Sequence, residues 1–250
     1  MISDWGVMQL SQAEFDAILI SLKIAGVAVG WILVPGIALA WLMARREFRG
    51  KALLDGVLHL PLVLPPVVVG YLLLVGLGTQ GVLGSWMHQH LGIRLPFTWQ
   101  GAAVAGGVMA FPLLVRAVRL SLEAVDPELE AAAATLGAGR LRVLFTVTLP
   151  LALPGLLTGT VLAFARALSE FGATITFASN IPGETRTLPL ALYSLIQTPG
   201  GEAAAARLCV LAIIIAMVSL VTSEWLARRA RLRLQGRDGG ETHGGTANAG

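Results

Sequence analysis

Charge is what this sequence has least of. Asp, Glu, Lys and Arg make up only 13% of its 250 residues, against about 25% in an ordinary soluble domain. Apolar residues reach 55%, and the mean hydropathy is +0.74. Too little charge is present to clothe a water-facing surface, which excludes a soluble globular class and leaves a membrane protein. Cysteine is almost missing as well: Cys209 stands alone in an apolar run, so no internal disulfide can form and no redox or metal role gathers around it. The N-terminus has no basic start followed by a short apolar core and a small-residue cleavage site, so the first span is expected to act as its own insertion signal. Also absent is the G-x-x-x-x-G-K-[ST] phosphate cradle. "FRGKALL" offers Gly50 and Lys51 but neither the earlier glycine nor a Ser or Thr for magnesium. The chain is therefore read as having no ATPase site of its own, no cofactor and no metal site.

What is present is long apolar sequence. A helix needs roughly 20 apolar residues to cross the hydrocarbon, and five stretches qualify, at about 16–44, 53–77, 99–121, 149–172 and 203–227. The fold class is all-α: a polytopic membrane protein with about five transmembrane helices. The pI near 9.6 could suggest nucleic acid, but the basic residues sit in short clusters on alternate connections, the distribution of cytoplasmic loops. These clusters are Arg45, Arg46, Arg49 and Lys51, then Arg116, Arg119, Arg140 and Arg142, then the arginines from Arg228 to Arg237. The opposite connections carry only Arg94, Arg186 and Arg207. No nucleic acid is implied; the solvent of the spans is membrane lipid. Residues 1–15 are placed outside the cytoplasm, 16–228 form a single transmembrane domain, and 229–250 are expected to be a disordered cytoplasmic tail, glycine-rich from Gln235.

"LPLALYSLIQ" at 188–197 is too short to cross and reads as an outer-surface or re-entrant helix. The stretch "HLPLVLPPVVVG" places Pro61, Pro65 and Pro66 inside the second span, where each removes a backbone donor and kinks the helix; a packing feature and a hinge or pore-lining bend remain equal readings. Pro35 in the first span reads as packing.

Between the third and fourth spans lies "DPELEAAAATLGAGRLRVLFTVTLP", residues 126–150. Asp126 caps a helix that starts with Pro127 and has Glu128 and Glu130 in its first turn. Leu129, Ala132, Ala133 and Leu136 share a face, and the helix stops or bends at Gly137–Gly139. A second short helix, "RLRVLFTVTL", is expected to end before Pro150. From these residues alone an amphipathic connector lying on headgroups stays open, although a weakly apolar helix that opens with acids is better suited to a groove in another protein.

The pattern "EAAAATLG" with "LP" at 149–150 resembles the EAA motif of permease subunits of bacterial binding-protein-dependent ABC importers. The likeness continues through "FRGKALLDGVLHLPLVLPPVVVGYLLL" and "FARALSEFGATITFASNIPGETRTLPLALYSLIQTPGGEAAAARL", and among such permeases these stretches are most similar to those for molybdate. Related sulfate and thiosulfate permeases share similar patterns, so those anions and tungstate are the alternative cargoes. The resemblance implies a MetI-like fold and a transport subunit rather than an enzyme. It makes residues 126–148 the coupling helix pair, with Glu130, Ala131, Ala132, Gly137 and Pro150 carrying contact to an ATP-binding subunit. It also implies two copies of that subunit, a homodimer of this chain and a periplasmic molybdate-binding protein.

Inside the spans, Arg166 and Glu170 lie four residues apart and can pair on one helix face, because a lone charge in the bilayer centre is costly. Two readings stand: a self-satisfying pair buried at a subunit interface, or, with Ser169, Thr174, Pro65 and Pro66, a lining or gate for a tetrahedral oxyanion. Lys23 is expected to snorkel, Asp55 and His59 to pair at the cytoplasmic end, and His88 and His90 to lie on different faces. Asn180, Glu184 and Arg186 mark an outer loop that, by resemblance, receives the binding protein. A multi-pass membrane enzyme lacks a convergent set of catalytic groups here, and an ion-driven transporter would show internal repeats and midplane acids, neither of which is found.

Overall fold

A computed structural model describes residues 11–238, and among these every regular element is helical. Four helices are long and apolar enough to span a bilayer: Gln12–Arg45 (α1), Trp99–Glu123 (α5), Arg140–Leu168 and Glu202–Thr222, the last within α11 (Glu202–Asp238). A bent pair, Lys51–Val63 (α2) and Pro66–Leu77 (α3), is together long and apolar enough for a fifth element in the bilayer, as a broken span or a re-entrant loop. The shorter elements are α4 (Val82–Leu91), α6 (Pro127–Thr135), α7 (Arg140–Val143), a π-helical turn (Leu144–Thr148), α8 (Leu149–Leu168), α9 (Gly172–Phe177) and α10 (Leu188–Ile196). As the sequence indicated, α10 does not span.

Local chemistry sets these boundaries. Ser11 and Glu14 form a reciprocal capping box at the head of α1, satisfying two N–H groups that a helix start otherwise leaves open. Pro35 lies inside α1 without ending it. The second span departs from expectation: it is not one kinked helix but two, meeting at 114°. Consecutive prolines explain the difference. Each disfavours the α region in the residue before it, so Leu64 (ψ 143°) and Pro65 (ψ 134°) are both extended, and Pro66 opens a new helix. Pro61, with no second proline behind it, stays within α2.

Two further boundaries differ. The segment after the glycine elbow does not end before Pro150 but continues through the π-helical turn into α8. The N–H of Leu149 bonds to the carbonyl of Leu144, the five-residue step of a π turn, and the widened turn gives the Pro150 ring room that an α turn would deny it. At the other end, residues 229–238, assigned to a disordered tail, continue α11 to Asp238. Alanine, arginine and leucine there are strong helix formers, supported by a Glu224–Arg228 ion pair at 2.7 Å. Residues 1–10 and 239–250, which hold most of the expected outer terminus and the rest of the tail, lie outside the described residues.

The core forms where α1 and α8 close on α5. Ile24, Ala28 and Ile32 of α1, Leu114, Val115 and Val118 of α5, and Ala152 and Ala163 of α8 are buried together. Close approach depends on small residues, as in membrane helix packing generally. A methyl group at Gly107 would fall 2.7 Å from the Trp31 ring, and one at Gly159 would fall 2.9 Å from Ala117. The ends away from Arg45 are tied by polar contacts: Arg207 Nη2 meets the buried Glu14 Oε1 at 2.7 Å, and the Leu188 N–H donates to Ser21 Oγ at 2.6 Å. The peripheral α11 leaves Val210, Ile213, Met217 and Val221 exposed, a face suited to lipid. Gly107→Val should force α1 and α5 apart and cost about 1–3 kcal/mol, read as a lower unfolding temperature of the detergent-solubilised chain, whereas Gly26→Ala, which has nothing within 4 Å, should unfold like the parent.

Candidate functional site

The elbow after α5 is built as its residues require. Asp126 accepts the Glu128 N–H at 2.9 Å, and Pro127 occupies the first helical position, where no donor is needed. At the other end, the N–H of Ala138 returns to the carbonyl of Ala133 and that of Gly137 to Ala134, a Schellman closure whose turning residue must be left-handed. Gly137 has φ 84°. Helix α6 has no buried residue. Ala131 and Ala132 are exposed, and Leu129, Leu136, Leu141 and Phe145 stand out at 49%, 89%, 72% and 65% exposure. A small, narrow, apolar face thus projects from the most polar end of the molecule, where isolated exposed leucines would be unremarkable but a run of them marks an interaction surface.

Glu130 behaves differently from the alanines beside it. Its Oε1 takes a 2.7 Å ion pair from Arg45 Nη2 at the end of α1 and a 2.6 Å hydrogen bond from Thr148 Oγ1 in the π turn. Glu130, expected to meet a partner near the head of the helix, has this oxygen engaged within its own subunit. Neither Arg45 nor Thr148 stood out in the sequence: 85 and 18 residues separate them from Glu130, and no periodicity links them.

At the far end of α8 from the elbow, Arg166 and Glu170 do pair, Nη1 to Oε2 at 2.6 Å, with the glutamate side chain 1% and the arginine 25% exposed. The second carboxylate oxygen of Glu170 accepts the Ala173 N–H at 2.8 Å, so this residue also caps the start of α9. Thr174 is buried. Ser169 is exposed, and its hydroxyl donates to the Arg166 carbonyl at 3.1 Å. The proline break joins this group: a methyl at Gly172 would lie 2.8 Å from Pro66 Cβ, and one at Gly70 would lie 2.7 Å from the Ala173 carbonyl oxygen. The segments that carry the two sets of expected pathway residues, far apart in sequence, therefore come together where α3 crosses α9. Gly70 and Gly172, which permit that crossing, were missed; glycine in an apolar run carries no signal of what it faces.

The remaining polar residues have local partners. Lys23 lies 3.6 Å from the Trp99 ring centroid, a cation–π contact rather than simple snorkelling. His59 Nδ1 lies 2.8 Å from the Asp55 carbonyl oxygen, and Asp55 faces Arg119 at 3.5 Å. His88 faces Arg94 and His90 stacks on Trp86. Asn180 joins Arg186 to Ser194, while Glu184 is exposed. Cys209 is exposed. Among the described residues no group of three or more His, Cys, Asp or Glu could hold a metal.

Several spanning helices and an exposed apolar elbow at the basic end define a multi-pass membrane protein. Residues 36–232 match the family of binding-protein-dependent transport system inner membrane components, and the chain belongs to that family. It is 63% identical over 226 residues to the molybdenum transport system permease protein ModB of Escherichia coli (strain K12), covering 90% of this chain and 99% of that one. It is 58% identical to ModB of Haemophilus influenzae, covering 88% and 96%, and 37% identical to the sulfate transport system permease protein CysT of E. coli, covering 77% and 69%. In fold it resembles a bacterial ABC transporter that imports alginate (TM-score 0.70, 18% identity, 88% of this chain and 80% of that one) and the MetNI methionine ABC transporter in an inward-facing form (0.70, 16%, 88% and 99%), which confirms the MetI-like arrangement.

The turn geometry gives a test. Gly137→Ala places a Cβ in the left-handed region and should cost about 1–2 kcal/mol, seen as faster amide exchange in 130–138. Gly139→Ala, at φ −67°, should leave that exchange unchanged.

Proposed function

We propose that this chain is the membrane-spanning permease subunit of an ATP-binding-cassette importer for molybdate. The observation that carries the reading is the exposed apolar elbow of α6 and α7 in a chain whose nearly full-length relatives at 63% and 58% identity are named molybdenum permeases. Sulfate is the second cargo reading, supported by the 37% likeness to CysT. The elbow faces the cytoplasm, with the N-terminus outside and the C-terminus inside. Ala131, Ala132 and Leu136 enter a cleft on an ATP-hydrolysing subunit, Gly137 holds the turn, and Pro150 sets the π-helical exit. One elbow per chain implies a homodimer bearing two ATPase subunits, with a periplasmic molybdate-binding protein at the outer face near Asn180, Glu184 and Arg186.

The pathway follows the crossing of α3 and α9. Arg166, Ser169, Glu170 and Thr174, with the Pro65–Pro66 break, line or gate it. Closure of the ATPase pair displaces the two elbows and switches the spans between outward- and inward-open forms, so the energy comes from nucleotide bound by a neighbour. Selectivity then resides in the soluble receptor rather than in a tight site within the membrane.

Purification from the native membrane should retain an ATP-hydrolysing subunit, and proteoliposomes supplied with the soluble receptor should accumulate molybdate only when ATP is present on the elbow side. Leu136→Asp should release the ATPase subunit. Arg166→Ala should keep the assembly but lower uptake by about tenfold or more, the scale of a lost charge-assisted contact. Accumulation of molybdate without ATP, or retention of the ATPase by the Leu136→Asp chain, would remove the support for this reading.

A further inference from the structure

Helix α6 is a lever with almost no body contact of its own. It has no buried residue, and only Glu130 and Ala133 are even partly covered. Two connections hold it to the chain, and Glu130 supplies the cross-link: Arg45 from the last turn of α1 and Thr148 from the π turn both reach the same oxygen, Oε1, at 2.7 Å and 2.6 Å. Thr148 is 2% exposed, and the Arg45 and Glu130 side chains are 20% and 23% exposed. The Arg45 Nε is buried with no hydrogen-bond partner, so this guanidinium depends on Glu130.

The two helices joined here are the ones that run furthest from the elbow. Helix α1 is a single piece from Gln12 to Arg45 and ends, away from the elbow, in the buried Glu14–Arg207 pair. The helix leaving the π turn runs to Leu168 and ends at the Arg166–Glu170 pair. A π turn is a metastable element that usually marks a functional position, and without a cross-link at Thr148 a push on α6 would be absorbed by local rewinding. We propose that Arg45 and Thr148 are positioning residues that, through Glu130, make α6 move as one piece with α1 and α8, so that Glu130 acts as an internal strut. Its role in transport rests on the permease reading above; the mechanical linkage does not.

Two measurements separate these. In the full chain alone, in detergent, Arg45→Ala and Thr148→Val should raise amide exchange in 128–136 by about tenfold, the scale of one lost charge-assisted hydrogen bond. Arg45→Glu and Glu130→Arg should each do the same, and the double reversal should return exchange toward the parent. In the reconstituted importer with its ATPase and receptor, Arg45→Ala and Thr148→Val should keep the ATPase subunit and hydrolyse ATP, yet carry about tenfold less molybdate per ATP, again restored by the double reversal relative to either single. Unchanged exchange, an unchanged ratio of anion to ATP, or a double reversal no better than the singles overturns the strut. Loss of the ATPase subunit from Arg45→Ala overturns it too, because Arg45 would then be holding the partner. If the parent chain retains no ATPase, the permease reading falls while the exchange arm still decides the linkage.

Discussion

A bilayer offers no water to an unpaired peptide group, so a helix can break inside it only where protein supplies the missing bonds. The structure contains two such breaks, between α2 and α3 and between α8 and α9, and the way each is satisfied fixes where they can be. At the first, the chain deletes the donors instead of bonding them: Pro65 and Pro66 have no N–H, and those of Val68 and Val69 return to the Pro65 carbonyl. At the second, a carboxylate does the work, with Glu170 accepting from Ala173. A charged cap is tolerable there only because Arg166 neutralises it, since an uncompensated buried carboxylate would be far costlier than the cap is worth. The breaks then need a dry, close surface, and each provides it for the other where Gly70 and Gly172 bring α3 onto α9. Broken backbone in an apolar surround belongs where protein or a cavity covers it, and here the two breaks cover each other.

Much of this was legible in the residues. Helix-length apolar runs disclosed the class and the four long apolar helices. The cap at Asp126–Pro127 and the turn at Gly137 were readable because both motifs are local and their chemistry is unambiguous. The Arg166–Glu170 pair followed from four-residue spacing and the cost of lone charge. What escaped notice was whatever depends on distance along the chain. The Arg45–Glu130–Thr148 node joins residues from separate elements, and nothing in the composition near Arg45 distinguishes it from Arg46 or Arg49. The double-proline break was read as a kink because each proline was weighed singly, whereas the second converts the residue before it from helical to extended. The helical extension to Asp238 was masked by the glycine-rich sequence beyond it, a composition signal averaged across a boundary that propensity places later.

The two ends of the molecule handle charge in opposite ways. At the end away from the elbow, Glu14 pairs with Arg207 and Glu170 with Arg166, each glutamate almost wholly covered. At the basic end, Arg119 meets Asp55 and Glu123 with every partner more than a quarter exposed. Exposed pairs contribute little to stability, so the basic end is held chiefly by the core of α1, α5 and α8 and, at the elbow, by the less exposed Arg45–Glu130 pair.

The neutralised arginine also bears on what an oxyanion would encounter. At about 4 Å and an effective dielectric near 20, one unit charge attracts another by roughly 4 kcal/mol. A dianion beside an unpaired guanidinium would gain about twice that, the scale of a micromolar dissociation constant, and would leave slowly. Glu170, 2.6 Å from Arg166, cancels most of this field while leaving guanidinium N–H groups free of its oxygens to offer directional hydrogen bonds. On the proposed pathway the pair would therefore keep a geometric preference for an oxygen-rich solute while removing the depth of the trap. A conduit that receives its cargo already selected needs that combination, and a lone arginine at the same position would turn the passage into a binding site.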